Sequence, residues 1–551
     1  MLVLVIGRLF YVQIIWGEEI QEKAIDQWTR EIPVVASRGK ITDRNGVLLA
    51  GNADTYTVFV RKKAVKDVEY LSQILSKVLK MDYQSVYKRL TTTISSEVTV
   101  KKQVEKEKIN ELLEYDFQGV YYSRDNSRVY PYGDFLSSVI GFTSNDGKGQ
   151  AGLELYYDKY LSGINGEILY ETDIVGIEIE NGNASYIPAS DGLNISLTID
   201  YDVQQLCETA SDQALEIHQA KSVQILVVDP SSGEILAMTN KPSYDLNQVP
   251  RDDLELLNSL SRNRLVSDIY EPGSTFKIIT TAANIEEYYN NNSKAFSLDK
   301  IYNSSRFRYI DGQKVKCWSN HANGKHASLT LSGALNNSCN PIFVDIAMSL
   351  GKETMYKYIE KFGFNKTTGL DFNGEASGMI LPYFAVNNVD LARIAFGQTV
   401  AVTGLQLAMA TCSAVNGGIY YTPYLVGEIY SSDGMLVERI TPNAKTRVIS
   451  EKASRTLSNL LEKVVSEGSG KQAYIEGYHV AGKTGTAQKY ENGVIARGKY
   501  VSSFIGYFPS DNPKYLCLVI IDEPVGEYYG STVAAPYAKQ IFDGIIKLKN
   551  L

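Results

Sequence analysis

Short runs of alternating apolar and polar residues, separated by turn signals, fill residues 30–200. Segments such as "TDRNGVLLAG" and "YPYGD" place Gly, Pro, Asn and Asp beside β-type residues, which is typical of turns between strands. Between residues 64 and 117, apolar residues instead recur at steps of three and four, the spacing of an amphipathic helix. The pattern predicts a β-rich first domain over 30–200 with one helical insertion.

From about residue 220 the pattern changes. "SVQILVVDPSSGEILAMTN" reads as two strands joined by a Pro-Ser-Ser-Gly turn, which predicts a hairpin. A long helical region follows, and "YVSSFIGYFPSDNPKYLCLVIIDEP" predicts two more strands before a terminal helix. Strands at both ends with helices between them favour a single α+β domain over 215–547, whose sheet is completed by segments distant in sequence.

The N-terminus, "MLVLVIGRLFYVQIIWG", is apolar apart from Arg8 and a few polar residues. As a helix its length would be about 24 Å, and a spanning helix needs about 20 apolar residues. It has no basic start and no small-residue cleavage site, so a cleaved signal peptide fits poorly. We interpret residues 1–17 as part of a membrane anchor that lacks its start; an amphipathic helix packed on the first domain is the alternative.

The length and composition of the chain indicate a multidomain protein and give no support for a nucleic-acid-binding or disulfide-scaffolded one. A chain of 551 residues exceeds one ordinary core, so two or more domains are expected. A net charge of -8 gives no reason to expect nucleic-acid binding. Five cysteines are too few for a disulfide scaffold, and four histidines leave few candidates for histidine-based catalysis. His218 and His479 lie in apolar, strand-like contexts and are expected to be structural.

A serine and a lysine lie one helical turn apart in the apolar segment "EPGSTFKIIT", residues 271–280. Burial disfavours a charged ammonium group, so a buried Lys277 tends to lose its proton and can act as a base for the Ser274 hydroxyl. At a helix N-terminus, that hydroxyl would also lie beside the positive end of the helix dipole. Ser-x-x-Lys alone is a weak pattern, because a serine that caps a helix gives the same spacing.

Two further motifs complete an ordered set. "NNSCNP" places Ser338 two residues before Asn340, and "VAGKTGTAQ" places Lys-Thr-Gly-Thr at residues 483–486. The order S-x-x-K, S-x-N, K-T-G is the motif set of penicillin-interacting serine enzymes. The sequence therefore predicts a nucleophilic serine site built from three distant segments.

The catalytic roles follow from the residue types. Lys483 is expected to keep Lys277 neutral, because like charges oppose each other's ionisation. Ser338 can relay a proton toward the leaving amine, and Asn340 can hold both Lys277 and a substrate amide by hydrogen bonds.

The K-T-G-T segment is expected to bind the substrate. Thr484 and Thr486 offer hydroxyl groups to a terminal carboxylate, and Gly485 leaves room for an extended substrate beside the strand. The backbone N–H groups of Ser274 and Thr486 form the expected oxyanion hole.

With these motifs the chain resembles a class B penicillin-binding protein, a monofunctional peptidoglycan D,D-transpeptidase. "RGKITDRNGVLLA" (38–50) and "GLELYYDKYLSGINGE" (152–167) resemble the start and end of the family's pedestal, or dimerisation, domain. "IYEPGSTFK" (269–277) and "YYGSTVAAPYAKQI" (528–541) resemble its transpeptidase domain. The resemblance implies an α+β fold in which a five-stranded antiparallel sheet lies between helical layers, preceded by an elongated β-rich pedestal and a membrane stub.

The resemblance also implies the reaction and its setting. The substrate would be the D-Ala-D-Ala end of peptidoglycan stem peptides, attacked by Ser274 with release of D-alanine and transfer to a neighbouring amine. β-Lactam antibiotics would acylate the same serine, and the acyl transfer would require no cofactor. The catalytic domain would lie outside the cell membrane, and a partner glycosyltransferase would polymerise the glycan. A serine β-lactamase, a D,D-carboxypeptidase and a penicillin-sensing scaffold are the alternatives.

"KCWSNHANGKH" followed by "NNSCNP" resembles the sporulation-type branch of the class, without the C-terminal PASTA modules that many of its members carry. Cys317, His326 and Cys339 are ligand types that zinc prefers, and closed structural sites usually have four ligands. Asp311, His321 or water would be the fourth ligand. A structural zinc ion would brace the S-x-N loop; a Cys317–Cys339 disulfide or two packed thiols are the alternatives.

Overall fold

The computed structural model describes residues 2–17, 29–95, 97–171, 184–319, 328–491 and 494–551. The first domain combines strands with short helices. Its strands are β1 (Thr29–Val34), β2 (Ile41–Thr42), β3 (Leu48–Arg61), β4 (Glu97–Val104), β5 (Val120–Val129), β6 (Gly166–Glu171), β7 (Ala184–Ile187) and β8 (Asn194–Leu197). Its helices are α1 (Leu2–Phe10), α2 (Val68–Leu79), α3 (Tyr83–Thr92), α4 (Lys106–Leu113), α5 (Ser137–Ile140), α6 (Gly152–Tyr156) and α7 (Asp158–Leu161).

The second domain is richer in helix. Its strands are β9 (Ser222–Val228), β10 (Ile235–Lys241), β11 (Ile269–Tyr270), β12 (Tyr302–Asn303), β13 (Phe307–Ile310), β14 (Gln313–Lys316), β15 (Ser328–Leu329), β16 (Met379–Ile380), β17 (Val400–Thr403), β18 (Ile419–Tyr421), β19 (Val426–Tyr430), β20 (Leu436–Arg439), β21 (Ala444–Arg447), β22 (Ala481–Glu491), β23 (Val494–Phe508) and β24 (Tyr515–Asp522). Its helices are α8 (Tyr201–His218), α9 (Leu254–Ser261), α10 (Arg264–Ser267), α11 (Lys277–Tyr289), α12 (Leu331–Asn336), α13 (Asn340–Lys361), α14 (Asn388–Ile394), α15 (Gly404–Val415), α16 (Glu451–Ser466), α17 (Gly530–Val533) and α18 (Ala535–Lys549).

A five-stranded antiparallel sheet in the order β10–β9–β24–β23–β22 forms the centre of the second domain. Successive side chains of a strand point to opposite faces. On β9, Leu226 packs in the core that contains α11 and α15, whereas Ile225 and Val227 pack in the core that contains α8 and α18. The sheet therefore lies between two helical layers, as the family resemblance implied, and the hairpin predicted from the 222–240 segment is β9–β10.

One strand lies where the sequence predicted only helix. Within residues 64–117 the structure has helices α2, α3 and α4, but residues 97–104 form β4, which pairs with β3. In "EVTVKKQV" the positions of Val98, Val100 and Val104 are buried and contact Leu71 and Leu75 of α2 in one cluster. The two-residue period of this segment is short and lies within a region dominated by helical spacing.

A second sheet joins the two domains. Its order is β20–β19–β8–β2–β3–β4, with β5 also paired to β3. Strand β19 belongs to the second domain in sequence, yet it pairs with β8, where Val426 lies opposite Leu197 and Tyr430 opposite Asn194. Helix α8, which the predicted boundary at 215 divides, packs against the central sheet along its length.

Helix α1 begins at Leu2 and continues as a π-helical turn to Ile15. Its apolar side chains are exposed, with Phe10 at 57% and Ile14 at 65% of full accessibility. Among the described residues, no helix is both long enough and apolar enough to cross a membrane.

Candidate active site

Ser274 lies in a tight turn at the start of a buried helix. The 3-10 turn Gly273–Phe276 leads directly into α11, whose first residue is Lys277. Gly273 has a φ of +55°, and a Cβ at this position would lie 3.0 Å from the carbonyl oxygen of Thr486. Its N–H donates to the carbonyl of Gly397 at 3.0 Å. Position 273 combines a left-handed backbone conformation with close neighbours, so only glycine fits there without strain.

The Lys277 amine lies at the centre of the three motifs. Its Nζ is 3.1 Å from Ser274 Oγ, 3.0 Å from Ser338 Oγ, 2.8 Å from the Ser338 carbonyl oxygen and 2.7 Å from Asn340 Oδ1. The two carbonyl oxygens can only accept hydrogen bonds, so they occupy two N–H groups of the amine. In a neutral amine the remaining lone pair can accept a proton from a hydroxyl group, and Ser274 is positioned to supply one.

Burial favours the neutral form of the Lys277 amine. Lys277 is fully buried, and desolvation lowers its pKa to about 8, against smaller opposing effects from Cys317 and Cys339. Desolvation also lowers the pKa of the buried Lys483 well below its usual range, and the charge of Lys277 adds to that effect. Among the described residues, neither lysine forms an ion pair with a carboxylate.

The electrostatic role expected of Lys483 therefore needs correction. The sequence suggested that the charge of Lys483 keeps Lys277 neutral, but burial is the main cause of the lowered Lys277 pKa. The pKa of Lys483 is itself lowered, by its burial and by the charge of Lys277. Its Nζ lies 3.2 Å from the carbonyl oxygen of Thr484 and 3.4 Å from Thr484 Oγ1.

The S-x-N motif forms the connection between α12 and α13. Ser338 adopts a left-handed conformation with a φ of +52°, and Asn340 begins α13. Asn340 Nδ2 donates to the carbonyl of Lys316 at 3.2 Å, which ties the motif to the end of strand β14. This bond leaves the Asn340 side-chain oxygen directed at Lys277.

The K-T-G-T segment lies on β22, which terminates the central sheet as far as the described strands extend. Thr484 Oγ1 is 3.4 Å from Ser469 Oγ. Thr486 Oγ1 accepts a hydrogen bond of 3.0 Å from the N–H of Gly530, so its own proton remains available to donate. The segment presents hydroxyl groups at a strand edge close to the Ser274 turn.

The structural reason for a glycine at position 485 differs from the one expected. A Cβ at this position would overlap Ser503 Oγ and would lie 2.9 Å from Thr275 Cγ2 and 3.0 Å from the Pro272 carbonyl oxygen. The space left by the missing side chain is therefore occupied by the Ser274 turn, not reserved for a substrate. Glycine at this position lets the nucleophile turn pack against β22.

Sequence reasoning missed two polar residues of the site. Glu271 accepts a hydrogen bond of 2.8 Å from the N–H of Thr399, and burial raises the pKa of its carboxyl group. Ser469 lies beside Thr484, and its own N–H donates to the carbonyl of Asn336 at 3.0 Å. The sequence does carry a signal for Glu271, which is an acidic residue in an otherwise apolar segment, three positions before Ser274. The polar loop that contains Ser469 carries no such signal.

The two cysteines near the site, Cys317 and Cys339, lie close together as thiols. Cys317 and Cys339 are buried, and the Cys317 thiol and burial together raise the pKa of Cys339. Cys339 Sγ is also 2.8 Å from Ser304 Oγ. In the structure, these residues therefore match the packed-thiol alternative and not a disulfide.

The zinc prediction is not supported. Asp311 lies in the turn of the β13–β14 hairpin, at the opposite end from Cys317, and accepts from Asn388 Nδ2 at 3.4 Å. His321 and His326 fall outside the described residues. Within the described ranges, no group of three or more His, Cys, Asp or Glu side chains is arranged to hold a metal ion.

The histidines considered earlier form structural contacts. His218 is the last residue of α8, so the strand-like context predicted for it is wrong, and its ring makes an edge contact with Tyr537. His479 Nδ1 lies 2.9 Å from Glu462 Oε1.

Two protein-family descriptions match the chain. Residues 223–543 match the penicillin binding protein transpeptidase domain, and residues 33–197 match the penicillin-binding protein dimerisation domain. The first match covers the central sheet and all three motifs.

Individual relatives agree with these matches. The chain is 40% identical to Stage V sporulation protein D of Bacillus subtilis over 97% of this chain and 82% of that protein. It is 28% identical to the peptidoglycan D,D-transpeptidase FtsI of Escherichia coli over 100% of this chain and 90% of that protein. A peptidoglycan synthetase from Bifidobacterium adolescentis shares the fold with a TM-score of 0.76 and 25% identity, over 95% of this chain and 97% of that one.

Proposed function

The chain belongs to the class B penicillin-binding proteins, and from that premise we propose that Ser274 is the nucleophile of its transpeptidase site. As a member of this family, the protein is a serine-type peptidoglycan D,D-transpeptidase, and the acyl transfer needs no cofactor. The residue assignment rests on the position of the Lys277 amine, which lies within 3.1 Å of oxygen atoms from Ser274, Ser338 and Asn340. The domains proposed are a pedestal over 30–200 and a transpeptidase domain over 215–547.

Acylation begins with proton transfer from the Ser274 hydroxyl to neutral Lys277. The Ser274 oxygen then attacks the carbonyl carbon of the penultimate D-alanine, and the N–H groups of Ser274 and Thr486 stabilise the oxyanion. The carbon–nitrogen bond breaks, and the Lys277 proton reaches the leaving amine through the Ser338 hydroxyl, which lies 3.0 Å from Nζ. D-Alanine departs and leaves an ester on Ser274.

The second half of the reaction reverses these proton transfers. An amine of a neighbouring stem peptide attacks the ester, and its proton passes to Lys277 while the Ser274 oxygen leaves as a hydroxyl. The terminal position of β22 among the described strands of the central sheet supports the binding of an extended peptide as an added strand. Thr484 and Thr486 donate to the terminal carboxylate; Lys483, with its lowered pKa, orients Thr484.

Mapping a covalent penicillin adduct tests the assignment of Ser274. Intact-mass measurement of the protein with a fluorescent penicillin should give one adduct per chain, and peptide mapping should place it on Ser274. The Ser274→Ala variant should show no adduct and an unchanged circular dichroism spectrum. A matched Ser231→Ala variant in the exposed β9–β10 turn should label like the wild type; an adduct on any other residue would contradict the assignment.

Product analysis separates the proposed reaction from its rivals. A transpeptidase joins a stem peptide to an added amine acceptor, whereas a carboxypeptidase releases D-alanine and hydrolyses the ester even when acceptor is present. A β-lactamase would release the penicillin adduct quickly, and an inert scaffold would form none.

The setting of the enzyme is also proposed. The exposed apolar side chains of residues 5–15 support a role for the N-terminus in a single membrane anchor, with the catalytic domain on the extracytoplasmic side. Protease added to intact protoplasts should then digest the catalytic domain; full protection would contradict this topology.

Two proposals concern the wider process. A partner glycosyltransferase is expected to polymerise the glycan, and co-purification of such an enzyme with the membrane-extracted full chain tests this. The 40% identity to Stage V sporulation protein D supports a role in spore-wall synthesis; deletion in the native organism should then block spores and leave vegetative growth unchanged.

A further inference from the structure

A strained residue lies in the segment that supports the Ser274 turn. Thr399 has a φ of +62°, in the left-handed region. This conformation is costly for a β-branched residue and persists only where neighbouring contacts hold it. Thr399 lies between helix α14 and strand β17, two residues after Gly397, whose carbonyl accepts the N–H of Gly273 at 3.0 Å. The strain is therefore close to the residue that precedes Ser274.

The strained residue lies in a bulge between two backbone contacts. Strand β17 pairs with β11, which leads into the nucleophile turn, and in that pair Tyr270 lies opposite Val402. Between this pair and the Gly273–Gly397 hydrogen bond, the side with Gly397 is two residues longer than the side with Gly273. The extra residues form a bulge that interrupts the regular ladder at Thr399.

The side chain of Glu271 bridges this interruption. Its Oε1 accepts the N–H of Thr399 at 2.8 Å. Its Oε2 is buried and, among the described residues, has no hydrogen-bond partner. A buried oxygen without a partner costs stability, so stability alone does not account for a carboxyl group at this position. The geometry instead relates the carboxyl group to the conformation of Thr399.

We propose that Glu271 is a positioning residue, which holds Thr399 in its left-handed conformation and thereby keeps the Ser274 turn in place for acylation. The inference rests on the proposed function, because the turn matters only if Ser274 is the nucleophile. Without the Glu271 carboxyl group, Thr399 would relax out of the left-handed region. The carbonyl of Gly397 would then move away from the N–H of Gly273. The N–H of Ser274, an oxyanion donor in the proposed mechanism, would lose its fixed direction.

Removal of the carboxyl group should slow the chemical step. The Glu271→Ala variant should be acylated by a penicillin about tenfold more slowly, which is the effect expected when one left-handed residue relaxes. The loss should appear in the maximal acylation rate and not in the penicillin concentration that gives half of it, because the nucleophile itself is displaced. The Glu271→Gln variant keeps an oxygen that can accept the Thr399 N–H, so its rate should stay within about twofold of wild type.

The urea midpoint separates this role from a merely structural one. Glu271→Ala loses a hydrogen bond, but it also loses a buried oxygen without a partner and the strain at Thr399, so its midpoint should stay close to that of the wild type. If the alanine variant does not fold, Glu271→Leu, which fills the space without an acceptor, provides the same comparison.

Relief of the strain at Thr399 provides the decisive test. Glycine adopts the left-handed conformation readily, so a chain with Thr399→Gly does not need the carboxyl group to hold the bulge. The double variant Glu271→Ala, Thr399→Gly should therefore be acylated within about threefold of the rate of Thr399→Gly alone. The matched control is Gln219→Gly, which replaces another left-handed residue, with a φ of +46°, at the end of α8 on the opposite face of the central sheet from α11. This control should not restore the rate of Glu271→Ala.

Intact-mass detection of the adduct in the full-length chain, at several penicillin concentrations, gives both the maximal rate and the half-saturating concentration. An unchanged rate in Glu271→Ala, or equal tenfold losses with threonine and with glycine at position 399, would overturn the positioning role. A change confined to the urea midpoint would overturn it as well, and in each of these cases an adduct on Ser274 of the wild type leaves the proposed function standing. If the wild type forms no adduct, the proposed function fails and the positioning role fails with it.

Discussion

The pH dependence of acylation is the sharpest test of the catalytic assignment. If Lys277 is the general base, only its neutral form can take the Ser274 proton, so the acylation rate should follow the neutral fraction. Burial lowers the pKa of Lys277 from 10.5 to about 8. Because deprotonation creates the active form, the rate should rise with pH and level off above pH 8.

The magnitude follows from the two pKa values. With a pKa of about 8, the neutral fraction is about 1% at pH 6, about 10% at pH 7 and about 50% at pH 8. The second-order rate constant for penicillin acylation should thus increase about 50-fold between pH 6 and pH 8. The difference of 10.5 − 8 = 2.5 pKa units means that burial raises the neutral fraction at pH 7 about 300-fold over that of an exposed lysine.

Adduct formation measured by intact mass at limiting penicillin, from pH 6 to pH 10, provides the profile. The Ser274→Ala variant, sampled in parallel, corrects for hydrolysis of the free β-lactam. A rate that is independent of pH between 6 and 8, or one that still rises tenfold per unit at pH 9.5, would refute the reasoning. The Lys277→Arg variant should retain less than about a tenth of the rate, because a guanidinium group stays protonated over this range.

Three further outcomes follow from the packing. Gly485→Ala should slow acylation about 100-fold by displacing the nucleophile turn, whereas Gly427→Ala, whose nearest neighbour lies at 3.7 Å, should not; equal rates would contradict the packing argument. The Lys277→Met variant should be more stable than the wild type by about 1–2 kcal/mol at pH 7. It removes the cost of burying an ammonium group, about 3 kcal/mol, but it also loses two hydrogen bonds. Between pH 8 and 10.5 the lysine is protonated in the unfolded state but neutral in the folded state, so the stability of the wild type rises with pH. The stability advantage of Lys277→Met, measured by urea titration, should therefore vanish by pH 10.5. Glu154→Gln, which leaves the buried Arg38 and Arg128 without their shared carboxylate, should cost about 3 kcal/mol in the same titrations, and an unchanged midpoint would argue against that network.

The three motifs could be predicted from sequence because each has a local signature. Ser274 and Lys277 need only the one-turn spacing of a helix, and the strand pattern around residues 481–491 places Lys483 on β22. The central sheet was predictable for the same reason, since β9, β10, β23 and β24 are apolar runs separated by turn residues. Residue order along the chain was enough to combine the motifs into one site.

What the sequence did not reveal depends on contacts between distant segments. The packing of the Ser274 turn against Gly485 and the edge contact between the Trp318 and Tyr529 rings each join residues about 200 positions apart. Such contacts leave no periodicity in either segment. The pKa of Lys483 is a similar case, because its burial is a property of the assembled site. Strand β4 differs for another reason, since its eight residues alternate between polar and apolar only as far as Lys101 and lie among helices.

The sheet shared by the two domains has a consequence for how the protein can be divided. Strand β19 lies between β20 and β8, so removal of the chain before residue 200 would leave one side of β19 without its backbone partners. An unpaired strand edge is a template for pairing with another chain. A fragment that starts at residue 215 is therefore expected to self-associate through Val426–Tyr430, whereas one that keeps β2, β3 and β8 would retain a covered edge. The unit that folds on its own, and that could be exchanged between proteins during evolution, is larger than the catalytic domain.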